Sequence, residues 1–123
     1  MDIISNASFQ VTDWELSHKI FSEALGFKTL VHNKTFSKYE LDSHGQIITA
    51  TANELYDSKP ASIGLIVSAE KVERVAKLLK EANEKFVYSE KVGSGIISTL
   101  EWVISNGSIL RLESFEDSYW DEK

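Results

Sequence analysis

The sequence contains no cysteine, which removes disulfides, thiolate metal sites and a cysteine nucleophile from consideration. Proline occurs once, at Pro60. Basic residues are scarce: 13 Lys and Arg face 19 Asp and Glu, a formal net charge of −6, and no Lys/Arg cluster interrupts that balance. Nucleic-acid binding driven by phosphate contacts is therefore disfavoured. The apolar runs are far too short for a membrane span. The opening segment MDIISNASFQ has no basic region followed by an apolar stretch, so no secretory leader is expected there. Together these absences predict a cytoplasmic protein with neither nucleic acid nor membrane among its partners.

What is present suits one globular domain. The chain has 123 residues, 42% hydrophobic and 26% charged, enough for one core but not for two independent ones. The acids are uneven: after Leu112 the sequence reads ESFEDSYWDEK. That tail reads as a solubilising face, or as an acidic rim for a cationic ligand.

Periodicity divides the rest into two similar halves. In residues 7–12, Ala7, Phe9 and Val11 alternate with Ser8, Gln10 and Thr12, as in a half-buried strand. Thr12 with Glu15 matches a capping box. Leu16, Ile20, Phe21, Ala24 and Leu25 then recur at helical spacing up to Gly26. Short strands are predicted near 27–33, 36–42 and 46–52, with His44 and Gly45 in a turn, and residues 53–60 form a polar connector. The order then repeats. Ile63, Leu65 and Val67 alternate with Gly64, Ile66 and Ser68. Ser68 caps a second helix with the stripe Val72, Val75, Ala76, Leu79 and Ala82, and Asn83 stands at its end. Strands are predicted near 86–91, 98–104 and 109–114, with Asn106-Gly107 as a hairpin turn. The fold class is α+β: two βαβββ modules, about 5–53 and 61–115, with an acidic tail over 116–123.

The first module carries Val11-Thr12-Asp13, then a helix over 14–24, then Leu25-Gly26-Phe27, and the second closes on Ile104-Ser105-Asn106-Gly107-Ser108 before a last strand at 109–113. In order and spacing this resembles the glyoxalase / bleomycin-resistance / extradiol-dioxygenase (vicinal oxygen chelate) superfamily, over nearly the whole chain. The resemblance implies two curled sheets, like half-barrels, with helices on their outer side, and a cleft formed by two cups. Enzymes of that superfamily hold a divalent metal with His, Glu or Gln from four strands. The corresponding positions here are Asn6, Ser62 and Arg111, plus a strand at 46–52 that offers neither His nor acid. An arginine where a ligating carboxylate is needed repels a cation. The expectation is no metal and no cofactor. His18, His32 and His44 are expected to be solvated or structural.

Strand parity nominates cup-facing residues. With Phe9 and Val11 on the helices, Asn6, Ser8, Gln10 and Thr12 face the cup; likewise Ser62, Gly64, Ile66 and Ser68 in the second module. Leu110 and Leu112 read as core, which leaves Ile109, Arg111 and Glu113 on the cup. If Asn106-Gly107 closes a regular two-residue hairpin, Trp102 pairs with Arg111; a longer turn offers Glu101 instead. The candidate ligand-binding set is thus Asn6, Ser8, Gln10, Ser62, Ile66, Trp102, Arg111 and Glu113. The same residues read equally well as a polar sheet face open to solvent. Trp102 reads also as core, and Tyr119 and Trp120 as a clamp for the tail or a dimer interface. Three functions follow. The first is a metal-free small-molecule binder, similar to the drug-sequestering members of the superfamily, whose ligand is an organic or cationic drug-like molecule. The second is a lyase or dioxygenase with an atypical site using Glu101, Glu113 or Glu40, and the third a partner-binding scaffold. Exposed sheet edges predict a homodimer.

Overall fold

The computed structural model describes residues 5–41, 45–52, 62–105 and 107–116. His44, Asn106, the whole 53–60 connector and the tail from 117, with Tyr119 and Trp120, lie outside the described residues.

The first module comprises β1 (Ser5–Gln10), α1 (Trp14–Lys19), β2 (Lys28–His32), β3 (Phe36–Glu40) and β4 (Gln46–Thr51). The second comprises β5 (Ser62–Ile66), α2 (Ala69–Glu81), β6 (Phe86–Gly93), β7 (Ile96–Ser105) and β8 (Ser108–Phe115). Each module makes one four-stranded mixed sheet, in the orders β1-β4-β3-β2 and β5-β8-β7-β6. The first strand of each pairs in parallel with the last, and the other neighbours are antiparallel. Neither sheet closes on itself, and the predicted α+β class and double module are found as expected.

Local chemistry sets the helix ends, with one correction. The cap of α1 is Asp13, whose carboxylate accepts from the Leu16 N–H at 3.0 Å; Thr12 instead donates its N–H to the Ile104 carbonyl of the second module. The charged carboxylate one residue later competes better than a hydroxyl for the free N–H groups of the first turn. The first helix is also not α throughout. From Ile20 to Ala24 it widens into a π turn, and the Leu25 N–H reaches back five residues to the Ile20 carbonyl. Gly26, at φ 71°, then takes the left-handed conformation that ends it. Ser68 caps α2 as expected, and Asn83 follows it at φ 59°.

One core serves both modules. Phe9, Val11, Phe21, Tyr39 and Ile48 share a continuous cluster with Val75, Leu79, Leu100, Trp102 and Leu112. α2 packs on β7, on β8 and on the π turn of the first helix. The helix-facing sides of both sheets therefore feed one interior, and the faces turned away from the helices carry the polar alternation read from the sequence.

The second correction concerns Trp102. Ser105 pairs with Ser108 across a two-residue turn, as Asn106-Gly107 predicts. The register then slips by one residue between Val103 and Ser105, so Val103 pairs with Ile109, Trp102 with Leu110 and Glu101 with Arg111. Without this bulge, Trp102 would share a face with Arg111 and leave the core. The bulge keeps Leu100, Trp102, Leu110 and Leu112 together, and burial of that set fixes the register. Trp102 is 3% exposed on the helix side, so it is not a cup-face platform and does not stack on Arg111.

Candidate functional site

The two faces turned away from the helices are built from equivalent rows of residues. Across the middle of the first sheet the row reads Ser8, Thr49, Lys38, Val31. The matching row of the second reads Gly64, Arg111, Glu101, Val87. Each row holds one cation near its centre, but only the second supplies a carboxylate beside it.

On the first face the cation heads a chain of hydrogen bonds. The Lys38 ammonium donates to Thr49 Oγ1 at 3.0 Å, the Thr49 hydroxyl donates to Asn6 Oδ1 at 2.7 Å, and Asn6 Nδ2 donates to Ser8 Oγ at 3.3 Å. Thr49 is buried and Lys38 half-buried, while Asn6 and Ser8 are exposed at the open end. Gln10 lies half-buried farther along β1. Parity brought out Asn6, Ser8 and Gln10 from the sequence but missed Lys38 and Thr49. Part of the signal was available: Tyr39 is the buried aromatic residue of β3, which turns Lys38 to the other side, and Ile48 and Ala50 do the same for Thr49.

On the second face Arg111 is engaged by Glu101, to which both its Nε and a terminal nitrogen donate. Around that pair the surface is apolar. Val87 is 64% exposed and Val103 61%, and Ile66, Ile97 and Ile109 also reach solvent. Glu113 is half-buried beside Ile66. Glu101, one of the carboxylates considered for catalysis, is thus held by an arginine. Glu40 lies opposite Ile47 and Lys28 on the first sheet.

Asn6 and Ser62, the equivalent positions of the two first strands, line one groove of about 360 Å³ where the sheets meet, together with Leu41, Gln46, Ile48 and Leu65. Arg111, Glu113 and Ile66 stand outside it. Trp102 contributes an edge to a different groove of about 250 Å³, with Phe86, Val87 and Ile109. The eight nominated residues are therefore divided among the two faces, the groove between the sheets and the core.

The donor set does not suit a metal ion. Asn6 spends its carbonyl oxygen on Thr49, Arg111 is a cation, and an ammonium stands beside Thr49. Among the described residues no group of three His, Asp or Glu could hold one.

Two of the three histidines, His18 and His32, form a cluster on the helix side of the first sheet. His18 and His32 stack with ring centroids 3.7 Å apart and 12° between planes, and Trp14 stacks on His32. His18 Nδ1 lies 2.7 Å from the Tyr39 hydroxyl, and His32 Nδ1 lies 2.5 Å from Ser37 Oγ. Parallel rings this close cannot aim their in-plane lone pairs at one ion. The rings are tied to the fold, as expected for structural histidines. Burial pushes the pKa of His18 below its usual value, and neighbouring His32 adds to the shift against the opposing pull of Glu23. Burial likewise raises the Tyr39 phenol, opposed by a hydrogen bond with Ser37.

With this geometry in view, known structures give a consistent match. A glyoxalase/dioxygenase from Nostoc punctiforme superposes with a TM-score of 0.62 at 10% identity, over 94% of this chain and 92% of that one. The chain has the glyoxalase / bleomycin-resistance / dioxygenase fold. A glyoxalase / bleomycin resistance protein from Catenulispora acidiphila gives 0.62 at 16% identity, over 92% and 98% of the two chains. The fosfomycin resistance protein FosX of Listeria monocytogenes gives 0.63 at 10% identity, over 97% and 98%. No family sequence model matches the chain. No curated protein matches it either. No helix among the described residues is long and apolar enough to cross a membrane.

Proposed function

We propose that this chain binds a small organic molecule without a metal, using the polar face of the first sheet as the recognition surface. The observation that carries this reading is the chain Lys38–Thr49–Asn6–Ser8. Asn6, Ser8 and Thr49 lie on two of the strands from which the resemblance would draw metal ligands, and Lys38 of neighbouring β3 supplies positive charge from an ammonium instead. A half-buried cation with oriented hydroxyl and amide partners is a recognition device: it costs desolvation and contributes little to packing. Native mass measurement of the purified protein, followed by elemental analysis, tests it. A co-purifying organic mass with no stoichiometric metal is the expected result. Near-stoichiometric Zn, Ni, Mn or Fe, whose removal abolishes an activity, would return the chain to the enzymes of its fold.

We also propose that two copies pair. The second face exposes Ile66, Val87, Ile97, Val103 and Ile109 across one sheet, and an apolar area of that kind is commonly covered. The sheet edges β2 and β6 call for cover too. Sedimentation at tens of micromolar is expected to give the dimer mass. A monomer there would rule the pairing out.

A further inference from the structure

Resting on the small-molecule reading above, we infer that the first face takes an anionic oxygen group, a carboxylate or a phosphate-type oxyanion, between Lys38 and Ser8. The direction of the hydrogen bonds carries this. An ammonium can only donate, so Thr49 Oγ1 must accept from Lys38. The single Thr49 proton is then spent on Asn6 Oδ1, which leaves the Asn6 amide to donate to Ser8 Oγ. Turning the Asn6 amide over would set two donors on Thr49 and leave its proton without an acceptor, so the network fixes the orientation. Every bond in the chain runs outward from the charge. Ser8 accepts at the far end and keeps its own proton, so the exposed end offers O–H rather than a lone pair. Successive bonds polarised by a cation strengthen one another in a partly dry setting.

The charge lacks a counter-ion among the described residues. Among the described residues the ion pairs are Arg74–Glu70 and Arg111–Glu101, and neither involves Lys38. Glu40 shares its strand and face two residues away, opposite Ile47 and Lys28, without reaching ion-pair distance. The Phe36 ring, 6.0 Å from the ammonium, gives only a weak cation–π contact. In a chain with net charge −6, a half-buried ammonium thus stands without an acidic partner among the described residues, on a face of outward-pointing donors. The equivalent row of the second sheet neutralises its cation internally, so the free charge is particular to the first face.

The experiment titrates the full chain with sodium acetate, potassium phosphate and neutral acetamide at matched ionic strength. It follows the backbone amide resonances of Ser8, Lys38 and Thr49. Saturable shifts with acetate or phosphate and none with acetamide are expected, and whichever anion saturates first tells carboxylate from phosphate. Lys38→Met should weaken the anion at least about ten-fold, the loss of one charge-assisted bond. Thr49→Val, which keeps the ammonium but cuts the relay, should weaken it less. Lys38→Gln serves if Lys38→Met fails to fold, judged by circular dichroism. Saturable binding of acetamide with inert anions would overturn the anion assignment and leave small-molecule binding standing. Anion shifts unchanged in both Lys38 variants would overturn it, as would silence from all three probes, whereas the metal-free reading is decided separately by the native mass.

Discussion

The two sheets share one strand order and one crossover, yet the rows at their centres differ in kind: Ser8–Thr49–Lys38–Val31 against Gly64–Arg111–Glu101–Val87. In the first, the cation is on the third strand of the module and a hydroxyl faces it from the fourth. In the second, the cation is on the fourth strand and a carboxylate faces it from the third. That exchange decides what each face can do. A lysine beside a threonine keeps a net charge and passes polarity along a chain of donors. An arginine beside a glutamate closes its electrostatics locally, and the surrounding valines and isoleucines leave an apolar surface. Fold similarity therefore predicts where a site stands but not what it holds.

The sharpest way to break the comparison is through the core that both sheets share. Trp102 sits on the helix side of β7, paired with Leu110, and is nearly inaccessible. Trp102→Ala should cost about 3–5 kcal/mol, since it leaves a cavity among Leu100, Leu112 and the helices. Urea unfolding of the variant checks this. A loss below about 1 kcal/mol would mean that Trp102 is not packed there, and would reopen its role as a ligand platform.

That residue also marks the boundary of what the sequence discloses. The double βαβββ order, the Ser68 cap and the Asn83 terminator are local patterns, written in periodicity and turn chemistry, and they are found as read. The parity of β1 placed Asn6, Ser8 and Gln10 correctly because Phe9 and Val11 are unambiguous. Of the two readings of Trp102, core and cup face, the core one holds, and the bulge that decides between them is not a local signal. The turn itself is two residues long, as Asn106-Gly107 implies, and the slip that follows arises from how two apolar strands fit against a helix. Lys38 and Thr49 went unnoticed for a related reason: a search for metal ligands passes over an ammonium and a hydroxyl. Their partnership joins residues 11 positions apart, and its link to Asn6 spans 43.

Acidity should act on the first module through its helix side. His18 stacks on His32, meets Tyr39 and is flanked by Glu23, and its folded pKa is held below the unfolded value of 6.5. Between those two values the unfolded chain binds more protons than the folded one, so stability rises with pH across that window. The contribution is full above about pH 6.5, fades as pH falls through the window, and levels off below the folded pKa. Urea midpoints between pH 5 and 8 should fall on the acid side. His18→Gln, which can still hydrogen-bond Tyr39, should flatten that part of the profile. An unchanged slope in the variant would show that the stacked pair is not its source.

The smallest effect is expected at the residue that looks most functional by position. Arg111 stands at the position for which the superfamily resemblance implies a ligating carboxylate, but its side chain is 54% exposed and its partner Glu101 39%. Solvent screens such a pair, so its net worth is about 0–1 kcal/mol even with two donors on one carboxylate. Arg111→Met should therefore change unfolding stability by less than about 1 kcal/mol. It also removes a charge from a face already rich in Val and Ile, so any dimer formed there should tighten or stay the same. Anion titrations at the first face should be unaffected, in contrast to Lys38→Met. If Arg111→Met instead weakened acetate or phosphate binding as strongly as Lys38→Met, the two cations would be acting on one ligand. That ligand would span both faces, either along the groove that Asn6 and Ser62 share or across two copies of the chain, and sedimentation of the loaded protein tells the two apart. The difference between the sheets would then be a division of labour around one ligand rather than a difference between two separate surfaces.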